Sequence, residues 1–422
     1  MRTTLLILFA MLAGWANAQD RLSLDECYTL ARNNSPLINR LSLESAMTDL
    51  KRNNIRTSDY PALDLNAQAT WQSDVTSLKI PIPGIQMNEL SKDHYKVTVD
   101  ARQNIYDGGM KKARLKLEDA DYEAEQSKVE ADLYQIWNNV SQAYFSALMS
   151  KASYRVQEIR RQVLSERLKN LESGVRHGVI VPNDLDVLKV EIMQTDQKLD
   201  ELNATRRSAV KVLSILTGKT FDLQIELQLP GESLSTEGTR PELLSFDKQL
   251  IKFDAASYLS AQKLKPQLYG FMQGGYGRPG LNMLKDSFSP WVMAGVGAHW
   301  TITDWKQSKR EQKEYALQKE MIETSRSSFL QSRDIALATQ QEEITRLENL
   351  LKSDEDIVGA RERIAHRSAS ALDNGTLTAA DYMTDLNAEV QSRILQETHR
   401  IQLAQAKVLS DIIKGKYQSN VK

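Results

Sequence analysis

The chain has 422 residues, 41% of them hydrophobic and 26% charged, with a formal net charge of -1. So even a balance gives no bulk electrostatic reason to expect a nucleic-acid partner. Only 19 glycines and 10 prolines punctuate the sequence, and its one cysteine, Cys27, excludes a disulfide framework within one chain.

Residues 1–18 read as a secretory signal peptide. Arg2 supplies the positive start, Leu5 to Leu12 the short apolar stretch, and Ala16-Asn17-Ala18 the small-residue cleavage site, so the mature chain is expected to start at Gln19. No cysteine follows that point, which argues against a lipid anchor, and Cys27 falls on an apolar position of a short helix. Downstream, no apolar run reaches the roughly 18 residues that a membrane-crossing helix needs. A membrane role must come from strands.

Pro61 to Trp71 alternates: Leu63, Leu65, Ala67, Ala69 and Trp71 point one way, and Asp64, Asn66, Gln68 and Thr70 the other. In Tyr95 to Ile105, Tyr95, Val97, Val99 and Ala101 oppose Lys96, Thr98, Asp100, Arg102 and Asn104. Gln267 to Tyr276 follows with blurred alternation. Val292 to Ile302 then carries Val292, Ala294, Val296, Ala298, Trp300 and Ile302 on one face. Period two over about ten residues suits a membrane-spanning strand, but a half-buried strand of a soluble sheet alternates in the same way. Hairpin pairing and the aromatics near the ends (Trp71, Tyr95, Tyr106, Tyr276, Trp291, Trp300 and Trp305) favour the membrane. Four strands cannot close a barrel, and open edges in lipid leave backbone groups unpaired, so copies must pool strands. Two copies give a filled interior and three give more room.

After each strand pair comes an aspartate and a long helix. The transitions are Asp107-Gly108-Gly109 and Asp304, where Asp caps free amides and glycine permits a sharp turn. Lys111 to Ser173 contains neither glycine nor proline, enough for a helix of roughly 95 Å. Leu185, Leu188, Ile192, Thr195, Leu199 and Leu202 keep a heptad-like rhythm, as do Leu133, Trp137, Val140, Tyr144 and Ala147. Each long helix turns back at a tip: one contains Gly178, Val179 and Ile180, the other Gly375, Thr376 and Leu377, with Asn183 or Thr378 placed to cap the outgoing helix.

The elements repeat. Asp107 matches Asp304, Gly178 matches Gly375, Asp184 matches Asp381, and Gly218 matches Gly415, all at one offset. Pro36 with Pro241 and Pro61 with Pro266 share a slightly longer one, so the second copy has the shorter strand-to-strand loop. The chain divides into a first repeat at 19–230, with strands at about 61–72 and 94–106 and a helical hairpin at 110–217. The second repeat, 231–422, has strands at about 266–276 and 291–303 and a hairpin at 306–414. The expected class is mainly α with membrane β. No pair among His94, His177, His299, His366 and His399 has a metal-ligand spacing, and no nucleophile elbow or Walker pattern occurs, so neither catalysis nor a cofactor is expected.

LSLDECYTLARNNSP near the start, QNIYDGG before the first long helix, and the tip segments GVIVPNDLDVLKVE and GTLTAADYMTDLNAE together resemble the TolC-like outer-membrane efflux and secretion channels. The resemblance covers nearly the whole mature chain. It implies a homotrimer with a twelve-stranded barrel in the bacterial outer membrane, continuous with an α-helical barrel in the periplasm. Residues 218–240 and the C-terminus would form an equatorial belt. It further implies passive conduction, as the exit duct of a tripartite efflux pump or a type I secretion system. The partners implied are a periplasmic adaptor (membrane fusion protein), an inner-membrane pump of RND or ABC type, and outer-membrane lipid. The family's constriction acid falls on Asp381. Its second acidic position is Thr384 here, with Asp385 adjacent. Asp381 has an alternative role as a helix cap. Adaptor contact is expected at Gly178, Val179, Ile180, Gly375, Thr376 and Leu377, whose alternative is plain turn chemistry. A periplasmic coiled-coil adaptor or scaffold is the competing reading of the whole chain.

Overall fold

The structure, a computed structural model, describes residues 21–75, 91–176, 182–231 and 238–416. The expected signal peptide and Gly178, Val179 and Ile180 lie outside the described residues. In chain order the elements are β1 (Arg21–Leu22), α1 (Leu24–Asn34), α2 (Pro36–Arg56), β2 (Ala62–Trp71), β3 (Asp93–Tyr106), α3 (Met110–Tyr134), α4 (Ile136–Arg176), α5 (Pro182–Thr217), β4 (Glu226–Leu227), α6 (Pro241–Gln262), β5 (Gln267–Arg278), β6 (Ser289–His299), α7 (Gln307–Asp373) and α8 (Ala379–Lys414). Among the described residues, no helix is long and apolar enough to cross a membrane.

Two compact units result, Ser42–Ser127 with Ser245–Arg326, and Met1–Leu41 with Lys128–Leu244 and Ser327–Lys422. Each draws on both halves of the chain. The compact bodies therefore cut across 19–230 and 231–422, because each half gives its long strands and the adjoining base of its helical hairpin to one unit and the rest of the hairpin to the other.

The first unit holds an antiparallel sheet in the order β2-β3-β5-β6. Ion pairs tie the helices around it: Lys51 to Glu118 at 2.8 Å, Lys252 to Asp121 at 2.5 Å and Lys263 to Glu311 at 2.7 Å.

The second unit has two main cores. In one, Cys27, Tyr28, Trp137, Val140, Tyr144, Leu213, Val408 and Ile412 interlock from α1, α4, α5 and α8. The Tyr144 hydroxyl lies 2.8 Å from the Leu22 carbonyl and 2.7 Å from that of Gln228, which fixes the short parallel pair β1–β4. The other core joins Leu164, Leu171, Leu188, Leu372, Tyr382, Met383, Leu386 and Val390 from α4, α5, α7 and α8. In one heptad-like seam Leu133, Trp137, Val140, Tyr144 and Ala147 are all buried, whereas in the other Leu188, Thr195 and Leu199 are buried and Leu185, Ile192 and Leu202 half-buried.

The long helix expected from Lys111 onward is broken at Gln135. No glycine or proline causes this. The Gln135 amide bonds the Asp132 carbonyl at 3.2 Å and the Asn138 amide bonds that of Gln135 at 3.2 Å, a local tightening to three-residue spacing. Tyr134 is held by its hydroxyl on the Ile412 carbonyl at 2.8 Å, and Trp137 packs 4.1 Å from the Tyr28 ring. Two aromatics held by tertiary contacts thus flank the break. α7, in contrast, runs 67 residues without interruption, through Gly359.

Candidate functional site

Register builds the first candidate surface. Residues directly opposite in a ladder share a face. Leu63, Leu65 and Ala67 pair with Ala101, Val99 and Val97. Those pair in turn with Met272, Gly274 and Tyr276, which pair with Ala294, Val292 and Pro290. One apolar face therefore crosses all four strands without a break. Leu63, Leu65, Val97, Val99, Met272, Val292 and Val296 are all exposed on it, Val296 by 81%. The 10 residues of β2, at ~3.4 Å each and tilted by ~40°, cover about 26 Å, the height of an outer-membrane apolar band. Trp71, Tyr95 and Tyr276 mark one end of this face. At the other, Tyr106, Trp300 and Trp305 are exposed.

The opposite face is polar and tightly filled. Asp100 accepts from Asn66 at 2.8 Å, from Thr98 at 2.9 Å and from Gln273. Trp291 belongs to this face, not to the apolar one: it pairs with Gly275, and a Cβ there would sit 2.5 Å from its ring. Phe271 and Tyr269 fill the matching notches over Gly295 and Gly297. Lys96 lies 5.0 Å from the Trp291 ring centre and Arg102 3.9 Å from that of Tyr269. These pairs explain the blurred alternation of β5: its polar-face aromatics need the glycines of a neighbouring strand. β6 stops at His299, short of the expected limit near 303, because β5 begins at Gln267 and leaves no partner beyond. Trp300 instead donates its indole N–H to the Leu264 carbonyl at 3.0 Å.

A second candidate surface lies at the turn between α7 and α8. The Gly375 and Thr376 amides bond the Leu372 and Ala371 carbonyls at 3.0 and 2.9 Å, closing α7. Thr378 opens α8: its hydroxyl accepts from the Asp381 amide at 3.2 Å and lies 2.7 Å from the Asp381 carboxylate. Asp381 is exposed. Asp385, a turn further on, accepts from Ser368 of α7, while Thr384 bonds back to the Ala380 carbonyl at 3.1 Å. Arg167 of α4 pairs with Asp373 and lies 5.3 Å from the Tyr382 ring. Burial pushes the Tyr382 hydroxyl pKa up, against the opposing pull of Arg167. Arg160 reaches Glu191 of α5 at 2.6 Å and Asn387 of α8 at 2.5 Å. The tip is thus fastened to both α4 and α5.

Residues 27–219 match the sequence model of the family described as "Outer membrane efflux protein". Over that stretch, a little under half of the chain, the sequence is similar to that family. The fold of the whole chain agrees. It superposes on CusC, whose structures concern transmembrane channel formation, with a TM-score of 0.69 at 12% identity over 94% of each chain. For the outer membrane protein VceC of Vibrio cholerae the TM-score is 0.67 at 13% identity, covering 94% of this chain and 97% of that one. For the open MtrE outer membrane channel of Neisseria gonorrhoeae the TM-score is 0.65 at 16% identity, covering 93% and 88%. No curated sequence matches the chain. The fold is that of a TolC-like outer-membrane efflux channel.

The two strand-to-helix transitions have the same construction. Asp107 accepts from the Gly109 amide at 2.9 Å and the Lys111 amide at 2.6 Å. Asp304 accepts from the Ser308 amide at 2.7 Å and from its hydroxyl, and these bonds hold the Asp304 carboxyl below the usual carboxylate range. Gly108 and Gly109 have φ of 69° and 86°, and the corresponding pair, Trp305 and Lys306, has φ of 54° and 65°. The second transition thus keeps a left-handed backbone with side chains that disfavour it. Asp381 and Asp385 share one tip with Gly375, Thr376 and Leu377, whereas the transitions belong to the other unit. Arg160 and Arg167 give no signal in the sequence, since a lone arginine on a charged helix reads as solvated surface.

Proposed function

We propose that this protein is the outer-membrane exit duct of a tripartite efflux pump or type I secretion system, conducting solutes passively from periplasm to exterior. Three copies pool four strands each into a twelve-stranded barrel, and the helical hairpins form the periplasmic part. The observation that carries this reading is the exposed apolar face running over four strands whose outer members, β2 and β6, each have a single neighbour among the described residues. In lipid each unpaired backbone group costs several kcal/mol, so such a sheet closes by pairing with copies of itself. The adaptor reading is not favoured, because a soluble domain has no use for an apolar face of this extent left open to water.

The matched left-handed pairs at the transitions support an internal duplication. At the hairpin tips, Gly375, Thr376 and Leu377, with Gly178, Val179 and Ile180, are the residues that contact a periplasmic adaptor, and an RND or ABC type pump supplies the energy. Asp381 serves two ends at once: it completes the start of α8, and as an exposed carboxylate repeated around a threefold axis it attracts cations, with Asp385 just inside. Heat-modifiable trimers in the outer-membrane fraction, with conductance in planar bilayers, are the expected result. Recovery of the chain only as a periplasmic soluble monomer would refute the proposal.

A further inference from the structure

The loop joining β5 to β6, residues 279–288, carries an apolar cluster that the duct reading leaves unexplained. Leu281, Met283, Leu284 and Phe288 are all exposed. The loop is not a free flap. The Asp286 carboxylate accepts from the Ser91 amide at 3.2 Å and its hydroxyl at 2.7 Å, which ties the loop to the start of β3. Arg278 pairs with Asp93 at 2.5 Å and approaches Asp286 at 3.7 Å.

The decisive contact is Phe288. Its ring stacks on Tyr276, with centroids 5.7 Å apart and planes 19° apart, and on Tyr95 at 6.3 Å and 27°. Both tyrosines lie on the apolar side of the sheet, since Tyr276 pairs with Val97 and Tyr95 with Ala69. The loop is therefore fastened to the side that faces lipid, at the end marked by Trp71. Phe288 prolongs that surface past the last strand residues, and Leu281, Met283 and Leu284 of the same loop are exposed, as is Lys285.

We propose that residues 281–288 are a lipid anchor. The loop lies in the headgroup zone of the bilayer, with Leu281, Met283, Leu284 and Phe288 against the acyl chains and Lys285 at the level of the lipid phosphates. The occupant is the lipid surface itself. Continuity with the apolar face argues for it, because a loop folded over the pore mouth would stack on the polar side. Extra apolar contact in the interfacial zone fixes the height of a barrel in the bilayer and resists tilting. This assignment rests on the strands being embedded in lipid.

The test attaches an environment-sensitive fluorophore to Met283→Cys and, separately, Leu284→Cys, in trimers reconstituted into phosphatidylethanolamine–phosphatidylglycerol vesicles. Cys27 is buried and stays unlabelled, as the parent chain verifies. Val99→Cys on β3 reports on the strand reading. The anchor predicts that nitroxides near the headgroup quench both loop probes at least twofold more than aqueous iodide does, with mid-chain nitroxides quenching the Val99 probe. Loop probes quenched by iodide, or by neither agent, alongside a lipid-quenched Val99 probe, would overturn the anchor and leave the duct standing. A Val99 probe that no lipid nitroxide reaches would overturn both. Either loop position suffices should the other variant fail to form trimers.

Discussion

Val99→Arg separates a lipid-facing sheet from a water-facing one. Val99 is the middle of the apolar face, between Leu65 on β2 and Gly274 on β5, and is 52% exposed. Were that exposure to water, the substitution would change stability by no more than about 0.5 kcal/mol, as for an ordinary surface position. Facing the hydrocarbon midplane, the guanidinium costs about 2–4 kcal/mol, roughly 30- to 700-fold in the folding equilibrium. The opposite face predicts the opposite sign. Asp64 pairs directly with Asp100, so Asp64→Arg replaces a like-charge pair with an attractive one and stabilises by about 0.2–1 kcal/mol. Urea titration of the chain folded into phosphatidylcholine vesicles, followed by the heat-modifiable band, reads both variants. A Val99→Arg variant within about 0.5 kcal/mol of the parent would refute the lipid assignment of that face.

Lys306 holds φ of 65°, a strain of about 1–2 kcal/mol offset by the ~0.5–1 kcal/mol entropy that glycine loses on folding. Lys306→Gly should therefore raise the midpoint of heat dissociation slightly, and Gly109→Ala should lower it. Burial pushes the Cys27 thiol up to about 12, with Glu26 adding to the shift; maleimide at pH 8 should leave the folded chain unlabelled and react fully once it is unfolded. Lys263 first, then Ser260 and Gln307, hold the Glu311 carboxyl at about 2 against an ordinary 4.5. A depressed folded value makes its contribution to stability complete above the ordinary value and lost as pH falls toward 2, so Glu311→Gln should flatten the acid side of the stability profile while leaving a smaller margin at neutral pH.

The strands and their apolar face were legible because period two needs only local sequence, as in Leu63, Leu65 and Ala67. The aspartates at the two transitions were legible because a cap acts within a few residues. Features set by distant partners were not. Tyr269 and Phe271 blur the alternation of their strand, and Trp291 reads as an interface aromatic, until Gly297, Gly295 and Gly275 lie beneath them. The aromatics that flank the break at Gln135 are held by Ile412 and Tyr28. The pair β1–β4 spans 2 residues on each side and joins segments far apart in sequence, with no alternation to betray it. The candidate acids show the same division. Thr378 followed by Asp381 is a local signature, whereas the bond from Ser368 to Asp385 needed the folded hairpin.

Among the described residues, β2 and β6 each leave one row of backbone donors and acceptors without a strand partner. If the sheet closes with copies of itself as proposed, a lone copy of this polypeptide on its way to the bilayer would travel through water with two sticky rims, each able to recruit any stray strand. Capture by its own kin must then outpace capture by strangers, which makes productive yield a race whose order in protein concentration exceeds one. A cell making this chain has reason to keep it escorted until its neighbours arrive.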